Sequence, residues 1–242
     1  MLVGGSVADK PARLVAASDA VVLAGPARRY VSRGGDKLAA GLERFAVPVA
    51  GLRALDAGAS TGGFTDCLLQ HGAAHVVAVD VGYGQLDARL RADPRVTVME
   101  RTNVRTLTPE RLGGPVDLVV ADLSFISLSV VAPVLAGPVA NPGAAMVVLV
   151  KPQFEAGRAE VSRGRGVVRH PDTWRRALET AASALGDAGA AIMGAMPSPL
   201  TGPAGNVEFL LHLTTGAGPS APSAVAALIE AAVQEAVGDG QG

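Results

Sequence analysis

Short apolar segments rich in valine alternate with helical patterns along most of this sequence. The apolar segments are 53–58, 75–80, 96–99, 116–122, 145–151, 191–196 and 207–213. The helical patterns lie at 62–72, 84–93, 127–137 and 171–189. Strands joined by helices run parallel, and both faces of their sheet are covered, so the strands are apolar throughout. The alternation therefore predicts an α/β fold with a mostly parallel seven-stranded sheet and helices on both faces.

Two less regular regions flank this core. Residues 1–29 are apolar and broken, residues 216–222 have the composition of a linker, and residues 224–237 carry the pattern of a terminal helix. We expect a core domain at 30–215, preceded by a separate segment at 1–29 and followed by a linker and helix at 216–242.

The composition excludes several classes of protein. The chain has 242 residues, of which 49% are hydrophobic and 3% aromatic, so a large core must be built from alanine, valine and leucine. Cys67 is the only cysteine and the four histidines lack ligand spacing, so we expect neither disulfides nor a metal site. The longest apolar stretch, 144–150, is too short to span a bilayer, and the N-terminus does not resemble a signal peptide. We expect a cytoplasmic protein with no membrane partner.

The loop LDAGASTGGFTD at 55–66 joins the first core strand to the first core helix. In open α/β sheets, ligands bind beyond the carboxyl ends of the strands, which is where this loop lies. A phosphate-binding P-loop needs Gly-Lys-Ser/Thr, and no lysine follows these glycines. A dinucleotide fingerprint needs a glycine where Ser60 stands, and Asp56 would repel a pyrophosphate.

A nucleoside that has no phosphate and carries a positive charge meets none of these objections, and S-adenosylmethionine is such a ligand. Asp56 can lie near its amino group or sulfonium, Asp80 can accept hydrogen bonds from its ribose hydroxyls, and Asn103 can contact its adenine. The glycines allow the backbone to approach closely. The residues that we expect to bind this cofactor, and its product S-adenosylhomocysteine, are Asp56, Gly58, Ser60, Thr61, Gly62, Gly63, Phe64, Asp80, Val81, Asn103, Asp122 and Leu123.

The segment ADLSF at 121–125, at the end of the fourth core strand, bears on which atom receives the methyl group. Enzymes that methylate exocyclic amines typically carry two prolines where Leu123 and Ser124 stand here. Enzymes that methylate a pyrimidine carbon use a catalytic cysteine, and Cys67 lies on the first helix pattern, away from this strand end. Both alternatives are therefore disfavoured.

Two lysines and two acids are candidates for catalysis. Lys151 follows the fifth core strand, where a lysine needs a partner, and Asp122 ends the fourth strand. Glu208 begins the last strand, whose start lies at the same edge if that strand is antiparallel, and Lys37 begins a helix before the core. This group favours a hydroxyl acceptor such as a ribose 2′-OH, because a neutral lysine can accept its proton.

Several motifs together resemble the TlyA (haemolysin-A-like) ribosomal RNA 2′-O-methyltransferases, relatives of the FtsJ-type enzymes. They are RGGDKL, LDAGASTGGFT, DVGYGQL, RTN, DLSFISL, LVKPQFE, GVVRHP and SPLTGPAGNVEF, and they span about residues 28–215. The resemblance implies a Rossmann-like class I methyltransferase fold with an antiparallel last strand. It implies an S-adenosylmethionine-dependent enzyme that methylates a cytidine 2′-hydroxyl in ribosomal RNA. It also implies that the family's catalytic Lys-Asp-Lys-Glu pattern corresponds to Lys37, Asp122, Lys151 and Glu208.

The N-terminal segment departs from the family. Its members begin with a small ribosomal-protein-like RNA-binding domain of two helices followed by strands, and residues 1–29 resemble only the trailing strands. We interpret them as a truncated remnant of that domain. Two functions are alternatives to an active methyltransferase. One is a weakly catalytic module that binds rRNA without its N-terminal clamp, and the other is a membrane-active haemolysin, as the family's older name suggests.

Basic residues cluster in two stretches, although the whole chain has a formal net charge of −1. Residues 1–37 contain six Lys or Arg against three acids, and residues 151–176 contain seven against three. Contacts to phosphates position an RNA without reading its sequence. The residues that we expect to bind the RNA of ribosomal subunits are Arg28, Arg29, Arg33, Arg158, Arg163 and Arg165. Nothing in the sequence indicates an oligomeric state.

Overall fold

A computed structural model describes residues 2–4, 6–8, 14–16, 18–22, 28–156 and 166–239. The main sheet has seven strands: β4 (Arg53–Ala57), β5 (His75–Val79), β6 (Val96–Met99), β7 (Val116–Ala121), β8 (Ala140–Val150), β9 (Ala190–Pro197) and β10 (Phe209–Thr215). Their order is β6-β5-β4-β7-β8-β10-β9. β10 is antiparallel to both of its neighbours, and the other neighbouring strands run parallel. The predicted Rossmann-like sheet, with its antiparallel last strand, is confirmed.

Helices cover both faces of this sheet. They are α1 (Arg33–Arg44), α2 (Gly63–Gln70), α3 (Ala88–Ala92), α4 (Pro109–Leu112), α5 (Leu128–Leu135), α6 (Pro152–Glu155), α7 (Pro171–Asp187) and α8 (Pro222–Asp239). α1, α2 and α3 bury leucines such as Leu38, Leu68 and Leu90 in a core cluster on one face. α5, α7 and α8 bury Val131, Leu178 and Ile229 in a second cluster on the other face.

The chain changes its direction of travel across the sheet between β6 and β7. From β4 it moves outward through β5 to β6, and it then returns to place β7 on the other side of β4. The loops that follow β4 and β7 therefore part and leave a crevice at the carboxyl edge. The backbone amide of Asp122 donates to the carbonyl oxygen of Ala57 at 3.0 Å, so the two strands end side by side.

Two elements differ from their predicted lengths. The helix predicted at 84–93 is limited to Ala88–Ala92, because Gly84 has a φ of 71° and Asp87 caps the helix by accepting the Arg89 amide. The strand predicted at 145–151 begins earlier, at Ala140. Thr215 of β10 donates its hydroxyl to the Asn141 carbonyl at 2.6 Å, so β10 supports this early part of β8.

The N-terminal residues that the structure describes include a small antiparallel sheet. Its strands are β1 (Leu2–Val3), β2 (Ser6–Val7) and β3 (Val21–Val22), in the order β2-β1-β3. The division at residue 29 stays a prediction. Among the described residues, no helix combines the length and the apolar character needed to cross a membrane.

We predict that Phe209→Ala destabilises the protein strongly. Phe209 is fully buried at the start of β10, and its ring lies 5.9 Å from that of Trp174. Loss of a buried phenylalanine side chain costs about 3–5 kcal/mol, and urea unfolding should show a decrease of that size. Phe125→Ala is the control, because that ring is 91% exposed, and it should cost less than about 1 kcal/mol. Equal losses would contradict the burial of Phe209.

Candidate active site

The loop between β4 and α2 turns sharply. Gly58, Ser60 and Gly62 have φ values of 89°, 47° and 97°, conformations in which glycine is favoured. The Gly58 amide donates to the carbonyl oxygen of Val79 at 2.8 Å, which ties the loop to the end of β5. A Cβ atom on Gly58 would lie 2.5 Å from the carbonyl oxygen of Asp122. The loop therefore lies directly against the end of β7.

Asp56, the last polar residue of β4, is fully buried beneath this loop. Its Oδ2 accepts the Thr65 hydroxyl at 2.6 Å, while its Oδ1 has no hydrogen-bond partner among the described residues. Burial raises the pKa of the Asp56 carboxyl to about 7; the Thr65 hydrogen bond opposes the rise, and the negative charge of Asp122 adds to it. A positive charge placed nearby would restore the ionised form, which is the property expected of a site for a cationic ligand.

Asp80, which follows β5, organises the neighbouring backbone. Its Oδ2 accepts the amide of Ser60 at 2.8 Å, and its Oδ1 accepts the amide of Gly82 at 2.7 Å. The carboxylate therefore holds the glycine loop and the loop after β5 together. Each oxygen keeps a second lone pair, so Asp80 can still accept a hydrogen bond from a ligand hydroxyl.

Two cavities open at the carboxyl edge of the sheet. The first, which we call the strand-end cavity, has a volume of about 410 Å³ and is lined by Asp80, Val81, Asn103 and Leu123, among others. The second, the lysine cavity, has a volume of about 370 Å³ and is lined by Lys37, Lys151 and Glu208, among others. They share a wall made of Gly58, Ser60, Asp122 and Ser124. A ligand that filled the strand-end cavity would therefore contact this shared wall, which also bounds the lysine cavity.

Two ion pairs line the lysine cavity. Lys37 Nζ lies 2.5 Å from Glu208 Oε2, and both residues are buried. Lys151 Nζ lies 2.6 Å from Asp122 Oδ1 and also donates to the Ser124 hydroxyl at 2.9 Å. The lysine cavity is therefore lined by two matched pairs of opposite charge.

The antiparallel β10 explains why Glu208 reaches this edge. Phe209 pairs with Val150, the last residue of β8, so the residue before Phe209 lies beside the strand end that precedes Lys151. Gly202 leaves room for the glutamate, because a Cβ there would lie 2.5 Å from Glu208 Oε1. Lys37 is the fifth residue of α1 and is buried together with Leu38.

The structure places most of the other predicted site residues at these cavities. The lysine cavity is also lined by Thr61, Gly63, Phe64, Arg28 and Arg33. Gly62 instead faces α3, because a Cβ there would lie 2.3 Å from the side chain of Leu90. Arg29 lies over the ring of Tyr30, 5.0 Å from its centroid. Arg158, Arg163 and Arg165 fall outside the described residues.

Sequence reasoning did not assign several residues of the two cavities. Ser32, Gly34, Thr201 and Pro203 line the lysine cavity, and Gln85, Phe125, Ile126 and Val131 line the strand-end cavity. Thr201 and Pro203 belong to the loop before Glu208, and no local pattern indicated that this loop would line the same cavity as Lys37. Within the ranges that the structure describes, no group of His, Cys, Asp and Glu is arranged to hold a metal ion.

Comparison with protein families matches residues 30–215 to the model of the FtsJ-like methyltransferases. The 16S/23S rRNA (cytidine-2'-O)-methyltransferase TlyA of Mycobacterium tuberculosis is 55% identical over 214 residues, which are 88% of this chain and 79% of that protein.

Solved structures are also similar. "Putative hemolysin from Streptococcus thermophilus" has a TM-score of 0.81 and 41% identity, over 90% of this chain and 79% of that one. An S-adenosylmethionine-dependent methyltransferase from Mesorhizobium loti has a TM-score of 0.54 at 21% identity, over 72% of this chain and 96% of that one, and shows the fold.

We predict that Gly58→Ala weakens cofactor binding. The new Cβ would clash with the Asp122 carbonyl in a backbone with a φ of 89°. The strain at such a position is about 1–3 kcal/mol, so calorimetry should show a loss of affinity for S-adenosylhomocysteine of about 5- to 150-fold. Gly143→Ala is the matched control, because its φ is 82° and nothing lies within 4 Å of the added atom. Equal losses of affinity in the two variants would contradict the clash.

We predict a pH-dependent stabilisation of the cofactor-free protein by Asp56→Asn. Folding raises the pKa of this carboxyl from 3.8 to about 7, so the folded chain binds the proton more tightly than the unfolded chain. Stability is therefore lost as pH rises from about 4 to about 7, and the full cost remains above that range. The melting temperature of Asp56→Asn should exceed that of the wild type most at pH 8, and the difference should shrink toward pH 4. A pH-independent difference would contradict the burial of an ionisable group.

Proposed function

Because the chain belongs to the FtsJ-like methyltransferase family, we propose that it transfers a methyl group from S-adenosylmethionine to the ribose 2′-hydroxyl of a cytidine in ribosomal RNA. The observation that carries this proposal is the pair of lysine–acid contacts, Lys37–Glu208 and Lys151–Asp122, around a cavity that shares a wall with the strand-end cavity. The M. tuberculosis relative is named for this reaction on 16S and 23S rRNA.

The strand-end cavity has the features that this cofactor requires. Its volume of about 410 Å³ lies within the range of small-molecule sites. Asp80 would accept hydrogen bonds from the ribose hydroxyls, Asn103 would contact the adenine, and Gly58 would let the backbone approach the cofactor. Asp56 lines neither cavity, but it is buried beneath the glycine loop next to them, and its Oδ1 takes no hydrogen bond from a described residue. Its carboxylate would favour a cation over a phosphate. When bound, S-adenosylmethionine supplies a methyl group activated by a positively charged sulfur.

The lysine cavity provides the groups that act on the acceptor. A ribose hydroxyl is a poor nucleophile until its proton is removed, and Lys151 Nζ is the base that we assign to that step. Asp122 holds the Lys151 amine in place through its ion pair. Lys37, fixed by Glu208, positions the acceptor ribose on the other side of the cavity. Positioning of the two reactants accounts for much of the rate enhancement in such transfers.

Basic side chains at the rim fit an RNA partner. Arg28 and Arg33 line the lysine cavity, and Arg33 is held there by its hydrogen bond to the Thr201 carbonyl at 3.1 Å. Phosphates next to the acceptor ribose would lie near these guanidinium groups. Arg29 is exposed on the same segment. The part proposed for Arg158, Arg163 and Arg165 in RNA binding rests on the sequence alone, because they lie outside the described residues. The partner that we propose is rRNA within ribosomal subunits, which implies a cytoplasmic site of action.

We predict that Lys151→Ala abolishes most of the methyl transfer to ribosomal subunits without loss of cofactor affinity. Removal of a general base typically lowers the rate about 100-fold or more. Tritium from labelled S-adenosylmethionine should accumulate in rRNA with the wild type and hardly at all with the variant.

The control for this experiment is Arg44→Ala. Arg44 is an exposed cation at the far end of the helix that carries Lys37, and its loss should leave the rate unchanged. A wild-type rate no higher than that of Lys151→Ala would refute the enzymatic function and favour an rRNA-binding module without turnover.

A further inference from the structure

Among the described residues, two polar groups lie against the amine of Lys151, and only one of them makes a hydrogen bond. Nζ donates to the Ser124 hydroxyl at 2.9 Å, whereas Asp122 Oδ1 lies 2.6 Å from Nζ as an ion pair without hydrogen-bond geometry. The ring of Phe154 lies beside the amine, with its centroid 6.0 Å from Nζ. The Lys151 side chain is only 11% exposed, so it has little freedom to form other contacts.

The hydrogen bond to Ser124 limits how the amine can rotate. A tetrahedral nitrogen has four substituent directions, and one of them is the bond to Cε. The N–H that donates to Ser124 fixes a second direction and with it the rotation about the Cε–Nζ bond, which Asp122 does not fix because its Oδ1 takes no hydrogen bond from a described residue. Because Lys151, Asp122 and Ser124 all line the lysine cavity, we assign the lone pair of the neutral amine to that cavity.

The loop that carries Ser124 is fixed from the opposite side. Glu155, at the end of α6, accepts the Ser127 hydroxyl at 2.5 Å and the Leu128 amide at 2.8 Å. The rings of Phe125 and Phe154 lie 5.1 Å apart. The turn after β8 therefore holds the loop after β7 at several points. Within the loop after β7, Phe125 has an unfavourable φ of 65°. A non-glycine residue keeps such a conformation only where its surroundings fix it.

We propose that the Ser124 hydroxyl is a positioning group that aims the Lys151 amine at the acceptor hydroxyl. The ion pair with Asp122 holds the amine near the strand ends but provides no hydrogen bond that would fix rotation about the Cε–Nζ bond. With that rotation fixed by the hydrogen bond to Ser124, the lone pair of neutral Lys151 faces the lysine cavity and takes the proton that the acceptor oxygen loses. Ser124 acts through Lys151 and exchanges no proton with the substrate. This inference rests on the proposed function for the role of Lys151.

The test compares Ser124→Ala, Ser124→Thr and the distant control Ser183→Ala, an exposed serine on α7. Four quantities are measured: kcat and KM for ribosomal subunits, the Kd for S-adenosylhomocysteine, and the rate at which acetic anhydride acylates Lys151 in cofactor-free protein. The chain contains three lysines, Lys10, Lys37 and Lys151, so mass spectrometry resolves each of them, and Lys37 serves as the internal reference.

We expect Ser124→Ala to lower kcat about tenfold, which corresponds to one hydrogen bond to a charged group. KM and Kd should stay within about twofold, since the hydroxyl holds the base rather than either ligand. Ser124→Thr, which keeps the hydroxyl, should recover most of kcat. The acylation of Lys151 relative to Lys37 should rise about threefold in Ser124→Ala, because the amine loses a partner. Ser183→Ala should match the wild type in all four measurements.

Several results would overturn this inference. They are an unchanged kcat in Ser124→Ala, a loss of activity that appears in KM or Kd instead, no recovery with threonine, and an unchanged acylation ratio. A wild-type protein that transfers no methyl group would refute the proposed function instead. The acylation ratio needs neither turnover nor cofactor, so it would still decide whether Ser124 holds the Lys151 amine.

Discussion

The contact between the backbone of Gly58 and the carbonyl group of Asp122 joins the two halves of the site. A side chain on Gly58 would lie 2.5 Å from that oxygen, so the loop after β4 reaches the end of β7 only because glycine stands there. The strand-end cavity and the lysine cavity share this contact as a wall. Both cavities therefore depend on one close approach of two backbones.

Charge divides the site into two regions with different preferences. Asp80 lines the strand-end cavity, which we propose for the cofactor, and Asp56 is buried beneath the loop beside it, with one oxygen that takes no hydrogen bond from a described residue. In the lysine cavity, which we propose for the acceptor, each lysine faces its own carboxylate. Burial of an ion pair such as Lys37–Glu208 is seldom a large source of stability, since both charges lose their hydration. A functional role is therefore the better explanation for this pair.

The fold was predictable because its signals are local. Valine-rich strands alternating with helices give a parallel sheet, and the glycine loop at residues 55–66 identifies the first strand end. Boundaries were less predictable where a distant residue decides them. β8 begins at Ala140, where it pairs with Val116 of β7 and where Thr215 of β10 donates to Asn141, and α3 is short because Gly84 and Asp87 delay its start.

The order of residues along the chain determined by itself which acids and lysines follow successive strands. Because parallel strands end at a common edge of the sheet, these side chains were expected to lie near one another. Tertiary structure alone decided how those side chains combine. The burial of Asp56 depends on a loop that folds over it, and the pairing of Lys37 with Glu208 joins residues 171 positions apart. Ser124 reaches Lys151 because β7 and β8 are neighbouring strands and because Glu155, which follows β8, holds the loop after β7. Such contacts arise from packing between distant segments, which no local pattern encodes.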